Sequence, residues 1–190
     1  MFGKIIKGDR DYLKKKRNRV IITTIIFFAI SIAIFAVGYI TTGTKRNLLT
    51  VVAILGCLPS CKSAVSMIMY IKAKGCSLSK ADMIAGISGD FIGMYDMYFT
   101  SYDKNFAISH MIVNKKVLIC FYEDQKFNKD AFKEHIETMM KRAGHSNIVV
   151  SVTNDIEKYC HMLSDLDTNL TDSEIAIDDE IRISLYEICL

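Results

Sequence analysis

The sequence predicts a two-helix transmembrane hairpin followed by one small soluble α/β domain, and three observations predict it. Val20 to Thr42 (VIITTIIFFAISIAIFAVGYITT) carries no charge. Leu48 to Ile71 is a second apolar run of similar length, interrupted by Pro59 and Lys62. A helix rises about 1.5 Å per residue and a bilayer core is about 30 Å thick, so roughly 20 apolar residues span it and each run is long enough. Beyond residue 75 the pattern changes to short alternating and helical segments bounded by turn residues, as expected of a compact domain over 76–190.

Charge divides the chain in the same place. Residues 1–80 hold fourteen Lys and Arg against two Asp, whereas residues 81–190 hold ten against nineteen Asp and Glu. A basic membrane-flanking part therefore precedes an acidic domain, and an acidic domain lacks the cations that neutralise phosphates, so no nucleic-acid partner is expected. Eight basic residues from Lys4 to Arg19 precede the first run, only Lys45 and Arg46 lie in the loop 43–47, and Lys72, Lys74 and Lys80 follow the second run. This bias predicts a two-pass protein of the cell membrane with both termini cytoplasmic. Residues 1–19 are expected to form a basic juxtamembrane segment. Lys14, Lys15, Lys16, Arg17 and Arg19 would meet lipid headgroups, and Phe2, Ile5, Ile6 and Tyr12 offer an apolar stripe for an interfacial helix. A cleaved signal peptide is not expected, because the apolar run is too long and nineteen residues precede it.

The second run (20–42 being the first, 48–71 the second) holds the unusual residues. Pro59 removes one backbone hydrogen bond and crowds the carbonyl of Leu55, so a kink is expected there. Cys57 and Cys61 share a face at i, i+4, and Gly56, Ser60, Ser63, Ala64 and Ser66 let another helix approach closely. Lys62 lies ten residues before Lys72 with no acid in either run. Three readings stand for it: a bond to the carbonyl freed by Pro59, an ammonium reaching back to the headgroups, or a carboxylate on another membrane protein. Cys57, Pro59, Cys61 and Lys62 are thus the candidate intramembrane contact set, with another membrane protein or a second copy as partner beside the lipid bilayer.

In the domain, Ser79 is expected to cap a helix over 80–87. Phe91 to Tyr102 reads as a strand with Tyr95, Met97 and Phe99 on one face; Phe106 to Val113 is a second strand, Asn114-Lys115 a two-residue turn, and Lys116 to Tyr122 a third strand. Asn128 caps a helix to about Ala143 that ends at Gly144, Asn147 to Val152 is a fourth strand, and Asn154 or Asp155 caps a helix to about Leu166. Thr171 and Glu174 form a capping box for a last helix. The expected order is α-β-β-β-α-β-α-α, a three-stranded meander joined by a fourth strand.

Helix, three strands, helix, strand resembles the core of restriction-endonuclease-like domains, including nuclease-related domains attached to membrane segments, over residues 78–153 and the strand-turn-strand FAISHMIVNKKVLICFY. The resemblance implies an aspartate opening the second strand and a glutamate-any-lysine triplet ending the third, two carboxylates holding a divalent metal on a phosphate. Asp103 stands before the second strand and Glu123 after the third, but the lysine is displaced to Lys126, with Gln125 where the triplet needs it. A degenerate domain is therefore expected, with Asp103, Glu123 and Lys126 as the catalytic candidates.

No other chemistry stands out. The six cysteines form no CxxC pair, the four histidines form no HExxH, and phosphate-cradling glycine motifs are absent, so neither metal nor cofactor is expected. The sequence points to a non-enzymatic membrane protein whose acidic cytoplasmic domain serves protein interaction or self-assembly. The alternatives are a membrane-tethered metal-dependent hydrolase and an accessory subunit of a membrane transporter.

Overall fold

The structure is a computed structural model and describes residues 6–89, 91–101 and 104–190. Among these the chain forms two compact units, one holding Lys74–Leu190 with the described residues up to Tyr12, the other holding Leu13–Ala73.

The Leu13–Ala73 unit is an antiparallel pair of helices, α1 (Tyr12–Thr42) and α2 (Leu48–Lys72). Their facing residues are small. Thr24, Ser31 and Gly38 recur every seven residues on α1, the spacing that keeps one seam toward a neighbour. Thr24 meets Ser63 hydroxyl to hydroxyl at 2.7 Å. A Cβ at Gly56 would stand 2.9 Å from Ser31 Oγ, and one at Gly38 would stand 2.7 Å from Leu49 Cβ. The seam hydroxyls also bond their own helices, Thr24 to Val20 O, Ser31 to Phe27 O and Ser60 to Gly56 O. Asn47 closes the loop: its Oδ1 accepts from the Thr50 amide at 2.8 Å, capping α2, while its Nδ2 lies 2.9 Å from Gly38 O, Thr42 Oγ1 and Thr44 O.

The other unit is a three-layer α/β/α sandwich. Its elements are α3 (Leu78–Ile87), β1 (Met94–Thr100), β2 (Asn105–Asn114), β3 (Val117–Phe121), α4 (Lys129–Arg142), β4 (Val149–Thr153), α5 (Ile156–Ser164) and α6 (Asp172–Ile188). This is the expected order, with sheet order β1-β2-β3-β4, the first three strands antiparallel and β4 parallel to β3. On one face α4 and α6 bury Phe132, Ile136, Met140, Ile181 and Leu185 against Met97, Phe99, Ile108 and Leu118. On the other, α3 and α5 bury Ile84, Tyr159 and Leu163 against Ile112, Ile119 and Phe121.

Three local expectations shift, each for a physical reason. Asp96 sits at φ 56, in the left-handed region, so β1 turns over at that point: Met97 and Phe99 join Met94 in one core cluster while Tyr95 packs with the other. The two-residue turn is Lys115-Lys116 rather than Asn114-Lys115, with φ 48 and 63 at the two lysines. Their strained backbone is held by Asp178 of α6, whose carboxylate accepts the Lys115 amide at 2.8 Å and the Lys116 amide at 3.0 Å. Ser77, not Ser79, is the residue ahead of α3. The remaining caps are those expected, Asn128 for α4, Asp155 for α5, and the Thr171–Glu174 capping box for α6.

The basic segment 1–19 is divided between the two units. Lys14 to Arg19 lie within α1, because nothing in that stretch breaks a helix that the apolar run continues. The described residues before Leu13 instead join the sandwich. Gly8 forms an antiparallel bridge with Tyr95, Lys7 Nζ donates to Tyr186 O and Cys189 O at 2.9 Å, and Arg10 pairs with Asp82. Phe2 and Ile5 of the expected apolar stripe lie outside the described residues.

Candidate functional site

Each unit carries one set of candidate residues. In the sandwich the set lies at the end of β3. Glu123 follows that strand, and its Oε1 accepts the Ser77 amide at 2.9 Å while Oε2 lies 3.2 Å from Lys80 Nζ. Burial acts to raise the Glu123 carboxyl, but the Ser77 amide and the Lys80 ammonium together hold it below the usual carboxylate value. Its two oxygens are thus engaged at the start of α3, where a negative charge also suits the helix dipole. Asp124 accepts the Lys126 amide at 3.1 Å in a local turn. Glu123, Asp124 and Lys126, with Lys74, Gly75 and Ser109, line a cleft of about 560 Å³. Asp103 lies outside the described residues. Among the described residues, no three His, Cys, Asp or Glu side chains converge as metal ligands.

Beside this cleft the structure brings in a carboxylate that the pattern of the sequence left unassigned. Asp96 is buried, and its Oδ1 accepts the Cys76 amide at 2.7 Å, while a Cβ at Gly75 would stand 2.6 Å from the same oxygen. Asp96 and Glu123 therefore pin consecutive amides, those of Cys76 and Ser77, at the entry to α3. Burial first, and then the Glu123 charge, push the Cys76 thiol up to about 12, so it stays protonated and is a poor nucleophile. A lone acid within the aromatic strand MYDMYFT was the signal for Asp96 in the sequence.

A second buried polar pair lies under α5. His110 Nδ1 is 2.7 Å from the Tyr159 hydroxyl, both side chains are sealed from solvent, and the Tyr95 ring lies 4.3 Å from the imidazole. Burial pushes the His110 imidazole down to about 3.

In the Leu13–Ala73 unit, Pro59, Cys61 and Lys62 are exposed and Cys57 is half-buried, whereas Gly56, Ser60 and Ser63 face α1. The close helix approach expected of those small residues is thus satisfied within the chain. The seven-residue recurrence of Thr24, Ser31 and Gly38 was its signal in the sequence. The helix continues through Pro59 from Leu48 to Lys72, and the Lys62 ammonium makes no hydrogen bond or ion pair among the described residues.

The contacts of the seam share one register, Thr24 with Ser63, Ser31 with Gly56 and Gly38 with Leu49. It sets Lys15 level with Lys72, Arg19 level with Ile68, and Ile25 level with Lys62. The cations Lys14, Lys15, Lys16, Arg17, Arg19 and Lys72 therefore share one end of the pair, and Lys45 and Arg46 mark the other.

No family model, no curated protein and no solved structure matches the chain.

Proposed function

We propose that this chain is a two-pass membrane protein whose α1–α2 hairpin anchors an acidic α/β domain that serves as a protein-interaction module. The observation that carries the reading is the exposure of the hairpin. Only 11% of the apolar window of each long helix is buried, leaving side chains such as Ile40 (79% exposed), Leu48 (80%) and Leu58 (67%) without cover. Helices of 31 and 25 residues are about 46 and 37 Å long, enough for a hydrocarbon core of about 30 Å. Contiguous apolar surface of this extent calls for lipid, and every seam hydroxyl bonds within the hairpin as such a medium demands. The six cations at one end, against two at the other, favour a cytoplasmic location for that end and hence for both termini, with Lys14 to Arg19 at anionic headgroups.

A binding rather than catalytic role is supported by Glu123, which would have to leave both Ser77 and Lys80 before it could hold a metal. The experiment is protease treatment of intact cells and of inverted membrane vesicles, followed by alkaline carbonate extraction. The expected result is a carboxyl-terminal domain cut only in inverted vesicles and a chain that resists carbonate; cutting in intact cells overturns the orientation, and release by carbonate overturns the anchor. Incubation with Mn²⁺ or Mg²⁺ and nucleic acid, beside an Asp103→Ala control, tests the hydrolase alternative.

A further inference from the structure

We propose that the exposed face of α2 around Lys62 docks a transmembrane helix of a different protein that carries an Asp or Glu carboxylate at the matching depth. The inference rests on the membrane reading above and names the partner's chemistry. Lys62 is the lone charged residue of α2 between Leu48 and Ile71, it is exposed, and its ammonium makes no bond among the described residues. The hairpin register sets it level with Ile25, six residues inward of Arg19 and so about 9 Å deeper than the last cation of α1.

The default direction of a side chain on α2 is deeper still. The Cα–Cβ bond of a helical residue tilts toward the helix N-terminus, and a long side chain covers the turn before its own Cα. For α2 that turn holds Leu58 and Pro59, toward the Asn47 end and away from the basic end. Reaching back to the headgroups works against this tilt. Pro59 also leaves Leu55 O without its usual amide donor, and Leu55 is itself exposed, 58%. The face thus presents one cation and one under-satisfied carbonyl, both in apolar surroundings.

An ammonium in hydrocarbon calls for a counter-charge. Neither Val20–Thr42 nor Leu48–Ile71 holds an acid, so this hairpin supplies none to itself and the same two helices of a second copy supply none either. The charge complementarity therefore favours a helix of another protein over a second copy of this hairpin.

The test uses the full chain in phosphatidylcholine vesicles with two biotinylated leucine-rich transmembrane peptides, identical except for Glu or Leu at the depth of Lys62. The expected result is at least about fivefold greater retention on the Glu peptide, from the strength of interhelical polar bonds in membranes. Lys62→Leu abolishes this preference and Lys62→Arg retains it. Equal retention of the wild-type chain on both peptides, or an undiminished preference in Lys62→Leu, overturns the inference. Carbonate extraction of the same vesicles separates the two levels. A resistant wild-type chain with no Glu preference overturns this inference alone, whereas a chain released by carbonate overturns the membrane reading and this inference with it.

Discussion

The carboxylate of Asp178 accepts the backbone amide of Lys115 at 2.8 Å, tying the middle of α6 to the tip of the β2–β3 hairpin. The same group accepts the amide of Lys116, and both lysines lie at positive φ. Two-residue hairpin turns of this kind favour Asn-Gly, and a lysine in the left-handed region costs about 1 kcal/mol, so the buried acceptor offsets local strain. Asp178→Ala is expected to lower stability by about 2–4 kcal/mol, because two buried charge-assisted bonds are lost. Lys116→Gly is expected to raise it by about 1 kcal/mol. Urea unfolding of the detergent-solubilised chain, followed by near-ultraviolet circular dichroism, measures both changes.

The His110–Tyr159 pair sets a pH dependence. The imidazole is held neutral in the folded chain, with its value lowered from 6.5 to about 3 by burial. Its contribution is complete above pH 6.5, the unfolded value, and is lost as the pH falls from there toward 3. A shift of that size corresponds to about 4–5 kcal/mol at the acid end. Unfolding midpoints between pH 8 and pH 4 should fall steeply for the wild-type chain and less steeply for His110→Gln. Equal slopes would refute the assignment.

Gly93 makes room for that imidazole. A Cβ there would run into His110 Nε2. Since His110 is enclosed by Tyr95 and Tyr159, it has nowhere to yield. Gly93→Ala is therefore expected to cost about 1–3 kcal/mol by overpacking, whereas Gly86→Ala, with open space around it, should be neutral or slightly stabilising. Thermal unfolding of the two variants side by side makes the comparison.

Lys7 places a cation on the closing carbonyls of α6, Tyr186 O and Cys189 O. Lys7→Met should remove about 1 kcal/mol, the usual worth of a charge at a helix end. Amide hydrogen exchange should then quicken at Tyr95 and Leu190, whose N–H groups bond Gly8 O and Tyr98 O, while β3 keeps its protection.

Much of the fold was legible because it is written in local signals. The Thr171–Glu174 box, the Asn128 cap and the left-handed Gly144 ending α4 are chemistry that a few adjacent residues decide among themselves. What escaped depends on distant partners. Nothing near Asp96 announces a left-handed residue within a strand; the Cys76 amide and the close approach of Gly75 account for it. The division of residues 1–19 depends on Tyr95 and α6, well over eighty positions away. For the candidate sites, Glu123 was visible as an acid at a strand end, but its commitment to Ser77 and Lys80 was not. Lys62 was visible as a charge in an apolar run, and its level against Ile25 of α1 followed only from the seam register.

Gly8, Cys189 and Leu190 lie along the outer edge of β1, with Gly8 bridged to Tyr95, Cys189 bridged to Phe99 and Leu190 bonded to Tyr98. Backbone groups that would otherwise template a strand from another molecule are thus taken up within the chain, which blunts this side of the sheet against edge-to-edge aggregation.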